Sequence, residues 1–263
     1  MREISLEPLR LYPLASSSSG NAIYIGTDKS KILIDVGIST KKVQQGLENI
    51  GVNVKEISAI CITHEHSDHI KGLGVFLRKY PVPVYATEET IAAIRSQKSL
   101  GALPDVFQVV YPDREFSIEQ FNLLPLKISH DAANPVAYRI DGGEGRQAAV
   151  LTDLGEYNTY LEENLKGLHT LLLEANHDLR MLEVGPYPYV IKRRIASEYG
   201  HLSNKAAGEF LAKILHQGLR DIYLGHLSKE NNYAALAYET VCQELRESIA
   251  GEYLESLRLQ VVQ

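Results

Sequence analysis

Cysteine is scarce in this chain. Only Cys61 and Cys242 occur among 263 residues, one in a stretch that reads as a core strand and the other in a predicted helix. That excludes a disulfide framework and makes a reducing cytoplasm the expected location. There is no run of about 18 apolar residues, so no transmembrane helix is expected. Met1 to Arg10 carries Glu3 and Glu7 and has no basic segment followed by an apolar one, so it does not read as a signal peptide. Positive charge is also short: 27 Lys and Arg stand against 33 Asp and Glu, a net of −6. This argues against a protein that coats nucleic acid through general basicity. It leaves room for a nuclease with a local basic patch and cations in its cleft, because bound metal reverses the local sign. No internal repeat is visible, and no Pro- or Gly-rich linker divides the chain. With 44% hydrophobic residues, residues 1–263 read as a single domain with a sizeable core.

What is present is histidine, concentrated in His64-Glu65-His66-Ser67-Asp68-His69. The stretch Ile57 to Thr63 before it is apolar and β-branched and reads as a buried strand. Ile70 to Tyr80 after it reads as a helix. The cluster therefore sits on a strand-to-helix turn at the end of a sheet. Neutral imidazole and carboxylate suit Zn, Mn or Fe. Alternating His64 and His66 can face one ion, with Asp68 and His69 facing a second. The plain alternative is a polar loop that happens to be rich in His.

The first half reads strand-rich. Asn21 to Gly26 and Lys31 to Asp35 form a predicted hairpin joined at Asp28-Lys29-Ser30. A helix follows from about Thr40, its possible cap, to Ile50, closed by Gly51. Val84 to Ala86 is a short strand and Glu88 to Ser96 a helix capped by Thr87. Strands are expected within Phe116 to Ile128, and at Val136 to Ile140, Gln147 to Thr152 and Thr170 to Leu173. The tail alternates helix (Asn204 to Leu215), strand (Ile222 to Leu224), helix (Tyr233 to Glu247) and strand (Arg258 to Val262). Strands alternating with helices in each half suit a layered α/β architecture with helices outside two packed sheets.

The strand ends repeat the chemistry of the histidine turn. Asp35 follows Ile32-Leu33-Ile34 and would orient a ligand imidazole, although an acid there is often a loop residue or cap. His130, after Leu126 to Ser129, would be a third imidazole beside His64 and His66. Asp153, after Ala148 to Thr152, has two oxygens and could bridge two cations. His226, after Ile222 to Gly225, is the natural partner of Asp68 and His69. Each of these is weak alone; their joint occurrence in order is strong.

The order Asp35, His-x-His-x-Asp-His, His130, Asp153, His226 resembles the metallo-β-lactamase superfamily over nearly the whole chain. The resemblance implies a four-layer αβ/βα sandwich of two mixed sheets with a dinuclear site. His64, His66 and His130 would hold the first ion, Asp68, His69 and His226 the second, and Asp153 would bridge them. Leu173-Glu174-Ala175-Asn176, Gly200 to Ala207 and Gly225-His226-Leu227-Ser228 resemble elements of transfer-RNA 3′-end processing endonucleases. In that branch the middle His protonates the leaving oxygen of a phosphodiester and the Glu orients it, which assigns those roles to His201 and Glu174. For His201 the plain alternative is a residue just before a helix that Ser203 caps.

Ser16 to Asn21, His130 to Val136, Lys192-Arg193-Arg194 and His226 to Asn232 are more similar still to the YycJ/WalJ group. That resemblance implies a DNA exonuclease acting from a 5′ end, with DNA preferred over RNA. Ser19, Asn21, Ser228 and Asn231 would orient the substrate phosphate, and Asp68 would also accept a hydrogen bond from the nucleophile. Lys192, Arg193 and Arg194 lie among Tyr187, Tyr189 and Tyr199, which suits holding a backbone and stacking bases; a solvated helix face is the equal alternative. His177 has no assignment, and His169 and His216 read as ordinary surface or helix-end residues. The implied cofactors are two divalent ions, Zn or Mn, and ligand type does not choose between them. The rival activities are hydrolysis of a thioester, lactam or cyclic phosphodiester on the same fold, or RNA processing. A binding protein that keeps the fold without catalysis would be expected to lose ligands, and every ligand position is filled.

Overall fold

In the computed structural model, residues 9–248, 253, 254 and 256–262 are described. Residues 1–8, most of the amino-terminal segment read above for its charge, lie outside them.

Six strands form the first sheet in chain order: β1 (Arg10–Ser17), β2 (Gly20–Gly26), β3 (Lys31–Ile34), β4 (Ala59–Cys61), β5 (Val84–Ala86) and β6 (Phe107–Val109). β1 to β3 are antiparallel and β3 to β6 parallel. The second sheet has β7 (Phe116–Ile118), β8 (Phe121–Lys127), β9 (Val136–Asp141), β10 (Gln147–Leu151), β11 (Thr170–Glu174), β12 (Asp221–Gly225) and β13 (Arg258–Val261), in the order β13-β12-β11-β10-β9-β8-β7. β10 to β13 run parallel and β7 to β10 antiparallel. Both sheets are therefore mixed.

Side-chain alternation sorts the strands onto two faces. Ile32, Ile34 and Cys61 meet Val136, Tyr138, Ala148, Val150 and Leu172 between the sheets. Leu33 and Ile60 point the other way, onto α1 (Thr40–Asn49), α3 (Leu73–Lys79) and α4 (Glu88–Ser96), through Val43, Leu47, Phe76 and Ile91. Ala149, Leu171 and Leu173 face outward onto α5 (Thr159–Asn164), α8 (Asn204–Ile214) and α9 (Ala234–Glu247), through Leu161, Phe210 and Val241. Strands covered on both faces read as continuous apolar runs, which is why the parallel core was legible. The layers are helix, sheet, sheet, helix. Among the described residues no helix is long and apolar enough to cross a membrane. Cys61 and Cys242 are both free and buried.

Several boundaries differ from expectation. Ser39, not Thr40, caps α1, its hydroxyl accepting from the Lys42 amide; Thr87 caps α4 as expected. The helix expected from Ile70 is two: α2 (Ser67–Ile70), which begins inside the histidine motif, and α3. The break lies at Lys71-Gly72. There the Gly72 amide leaves the helix to donate to Val36 O at 2.9 Å, and a Cβ on Gly72 would stand 1.9 Å from Ile38 O. Only glycine permits this closeness. Strand β6, helix α5 and the short helices α6 (Leu179–Val184) and α7 (Tyr189–Ile195) were not expected.

Candidate metal centre

The parallel strands of both sheets end on one side. Asp35 and Asp153 stand just beyond β3 and β10, Glu174 closes β11, and His226 follows β12. Asp35, Asp153 and His226 have φ of +61°, +57° and +56°. Side chains other than glycine rarely adopt this left-handed region, and holding one there costs on the order of 1–3 kcal/mol. Backbone bonds hold two of the three: Asp35 donates to Cys61 O at 2.9 Å and His226 to Ser16 O at 3.1 Å. The sharp turn at each strand end aims the side chain into one shared space.

Two clusters meet there. His64, His66 and His130 bring one nitrogen each to within 4.8 Å of one another, as do the ligand atoms of Asp68, His69, Asp153 and His226. Asp153 belongs geometrically to both, with Oδ1 3.6 Å from His130 Nε2 and Oδ2 2.9 Å from His69 Nε2. Three of the imidazoles are held from behind. His69 Nδ1 donates to Asp35 Oδ2 at 2.7 Å, His226 Nδ1 to Glu174 Oε1 at 2.8 Å, and His130 Nδ1 to Gly200 O at 3.0 Å. Each thereby turns Nε2 toward the centre, the arrangement in which a second group fixes a ligand imidazole. Asp35 also accepts from the Thr63 amide and hydroxyl, both at 2.8 Å.

The donor set fits divalent cations. His64 Nε2 is buried and has no hydrogen-bond partner among the described residues. A buried polar atom left this way is costly, and a bound cation would satisfy it. Electrostatics agree. Burial, aided by the charge on His69, pushes His64 well below its usual pKa, keeping it neutral as a ligand must be. Burial raises Asp68 and Asp153, but hydrogen bonds from His226 and His69 in the first case, and the charges of His226 and His69 in the second, hold both below the ordinary carboxylate range.

A second polar unit adjoins this one. Glu174 is fully buried, and its Oε1 accepts from His201 Nδ1 as well as from His226 Nδ1, both at 2.8 Å. Its Oε2 accepts from the amides of Leu154 and Leu202 at 2.8 and 3.2 Å. Burial opposes ionisation of Glu174, but His201's charge and the hydrogen bonds of both histidines bring it down to about 2. In turn Glu174 overcomes the burial of His201 and raises it above the ordinary imidazole value. The His201 side chain keeps 21% of its surface exposed. The result is a histidine whose charged form Glu174 favours, at the open rim of the buried centre.

With this geometry fixed, comparison with known proteins is decisive. The metallo-beta-lactamase superfamily profile matches residues 17–146. Exodeoxyribonuclease YycJ of Bacillus anthracis is 40% identical over 244 residues, covering 90% of this chain and 89% of that protein. The chain belongs to the metallo-β-lactamase superfamily. Within it the chain falls in the YycJ/WalJ group: exodeoxyribonuclease WalJ of Streptococcus pneumoniae is 38% identical over 239 residues, covering 90% and 88%. The metallo-β-lactamase-fold protein YhfI of Bacillus subtilis superposes with a TM-score of 0.71 over 98% of this chain and 97% of its own, at 15% identity, a likeness of fold.

The expected substrate contacts of this superfamily member divide sharply. Ser19 is half-buried on the β1–β2 turn, where its carbonyl accepts from Lys71 Nζ. Ser228 is nearly buried, and its hydroxyl accepts from the Asn231 amide at 3.2 Å. Asn21 and Asn231 are fully buried, which corrects the expectation that they face substrate. The Asn21 amide lies 3.1 Å from His69 Nε2 and donates to Ser17 O at 3.2 Å, so it shapes the centre from beneath. The basic triplet lies on α7. Arg194 is paired with Asp131, and Lys192 donates to Glu183 O at 2.7 Å. Arg193 sits over the Tyr189 ring at 6.0 Å and makes no ion pair among the described residues. Two of the three cations are thus already engaged.

Sequence reasoning missed Thr63 and Asn176. The Thr63 hydroxyl lies 3.1 Å from His64 Nδ1 and 3.3 Å from His69 Nδ1, and Asn176 Nδ2 donates to His226 O at 2.9 Å. Their adjacency to the histidine motif and to Glu174 was the only available signal.

Proposed function

We propose that this chain, acting as one metallo-β-lactamase-like domain in a reducing cytoplasm, is a metal-dependent phosphodiesterase that removes nucleotides from DNA in the 5′-to-3′ direction. The observation that carries the reading is the shared Glu174 oxygen, which ties His201 and His226 at 2.8 Å each. A hydrolase of thioesters or lactams needs the centre but not this protonated histidine. The names of the YycJ and WalJ relatives support DNA as substrate; the polarity rests on the resemblance of the chain to that group.

In this reading His64, His66 and His130 hold one divalent ion, Asp68, His69 and His226 a second, and Asp153 reaches both, with Zn or Mn the fitting ions. Bound there, such ions supply a nucleophile at neutral pH and neutralise charge on the phosphate. Asp68, whose side chain retains 22% exposure, accepts a hydrogen bond from the attacking water and sets its direction. His201 donates its proton to the leaving oxygen, and Glu174 holds the ring and stabilises its charged form. Asp35 fixes His69 and takes no part in proton transfer. Of the expected substrate set, Ser19, Ser228 and Arg193 would meet the phosphate; Lys192 and Arg194 shape the helix that carries Arg193.

End-labelled single- and double-stranded DNA and RNA, incubated with the protein and added Mn or Zn, test this. Early release of a 5′ label from DNA, absent with Asp68→Ala, is expected. Turnover of bis(p-nitrophenyl) phosphate or a thioester with every polymer intact would overturn it in favour of a small-molecule hydrolase.

A further inference from the structure

The three most exposed large apolar side chains among the described residues lie within seven positions of one another: Val184 at 77%, Tyr189 at 74% and Val190 at 75%. They stand at the end of α6 and the start of α7, the tip of the helix pair termed the α6–α7 arm, and α7 buries none of its residues. Scattered apolar residues on a surface need no explanation, but three this exposed and this close along the chain do. The arm is fastened to the reaction centre. The His201 amide donates to Ile195 O at 2.9 Å, Arg194 pairs with Asp131, and Asp131 Oδ1 lies 3.5 Å from His130 Nε2. A Cβ on Gly200 would stand 2.1 Å from Ile195 O, so the end of α7 lies hard against the approach to His201.

We infer that this tip is a platform for unpaired bases, which makes the single-stranded end of DNA the form of substrate that the arm delivers to the centre. The inference rests on the nuclease reading above. Charge chooses the occupant: α7 carries three consecutive cations beside the apolar tip, which suits a polyanion with flat apolar faces and not a plain apolar surface. Of the three, Lys192 and Arg194 are engaged within the protein and Arg193 makes no ion pair among the described residues, too little for a triplet that grips only phosphate. What remains exposed can recognise bases, and base faces are available only where the strand is unpaired. Arg193 lies over one face of the Tyr189 ring at 6.0 Å, so a base stacking on the other face would have a cation close by for its phosphate.

The test uses full-length Asp68→Ala protein, which binds without cleaving, and fluorescence anisotropy with a labelled 20-mer, single-stranded or as a blunt duplex. Tyr189→Ser with Val190→Ser is expected to weaken single-strand binding about tenfold or more and to lower the single-strand to duplex affinity ratio about tenfold. Both positions are exposed, and circular dichroism confirms folding. Equal losses on both DNA forms, or none, would overturn the inference. So would light scattering that shows a dimer which the double variant dissolves, since the tip then belongs to a second copy. If the parent binds single strands through the arm but hydrolyses no DNA, the inference stands and the nuclease reading fails.

Discussion

The two halves of the centre are built differently. One is all imidazole: His64, His66 and His130, with His64 Nε2 buried and unpartnered. The other mixes Asp68 and Asp153 with His69 and His226, and carboxylates behind it hold both histidines at 2.7 and 2.8 Å. In the first half, burial above all lowers the pKa of His64 and His130; in the second, acids raise the imidazoles, His226 to about 10. His64 and His130 are thus poised as neutral ligands, whereas His69 and His226 must release protons as the second half takes up a cation. The difference teaches that filling the second half is the step more sensitive to acid. His201 borders that half, where Glu174 holds both it and His226.

Asp153 is the residue that makes the two halves one. Asp153→Asn should empty or weaken both, visible as metal content below that of the parent by mass spectrometry. Hydrolysis should fall at least about a thousandfold, the equivalent of ~4 kcal/mol in transition-state stabilisation. Loss from one half alone would break the symmetry of its role. His201→Ala should retain full metal content yet lose about 10²–10⁴ in kcat on DNA. Bis(p-nitrophenyl) phosphate, whose leaving group needs no proton, should suffer much less, and an equal loss on both would remove the proton-donor role.

Asp35→Ala sharpens the contrast further. Asp35 holds His69, so metal affinity should drop about 10–100-fold in the second half and less in the first, measured by competition with a chromogenic chelator. Thr63 contacts both His64 and His69, so an equal drop would show that this hydroxyl, and not Asp35, governs the pair. The smallest effect is expected at His177. Burial lowers it from 6.5 to about 4, so the unfolded chain takes up the proton first as pH falls. Its neutral form contributes stability in full above pH 6.5 and loses that contribution as pH falls toward 4. With a chelator present, His177→Gln should flatten the fall of the urea midpoint over that window. An unchanged slope would count against a buried neutral His177.

The contiguous motif was legible because histidine is scarce and a buried strand precedes it. Asp153, Glu174 and His226 were legible because each closes an apolar run of a parallel sheet, where substrate sites gather. Asn21 and Asn231 were misread because polarity in a loop does not reveal burial: the first lies under His69 and the second under α6, where a Cβ on Gly185 would meet its Oδ1 at 2.4 Å. Helices α6 and α7 escaped notice because neither carries a full apolar stripe; α6 buries only Leu182 and α7 nothing. Periodicity reports packing, and helices that bury one side chain between them have little to report.

The left-handed backbone at Asp35, Asp153 and His226 sets stability against activity. Glycine adopts that conformation freely, so Asp153→Gly relieves strain while erasing the carboxylate that lies against both clusters. Selection of the metal-free protein for heat resistance alone would therefore drift toward glycine at these strand ends and dismantle the centre first. Only selection that reads catalysis keeps the acids and the imidazole in place, and the residual strain is the physical trace of it.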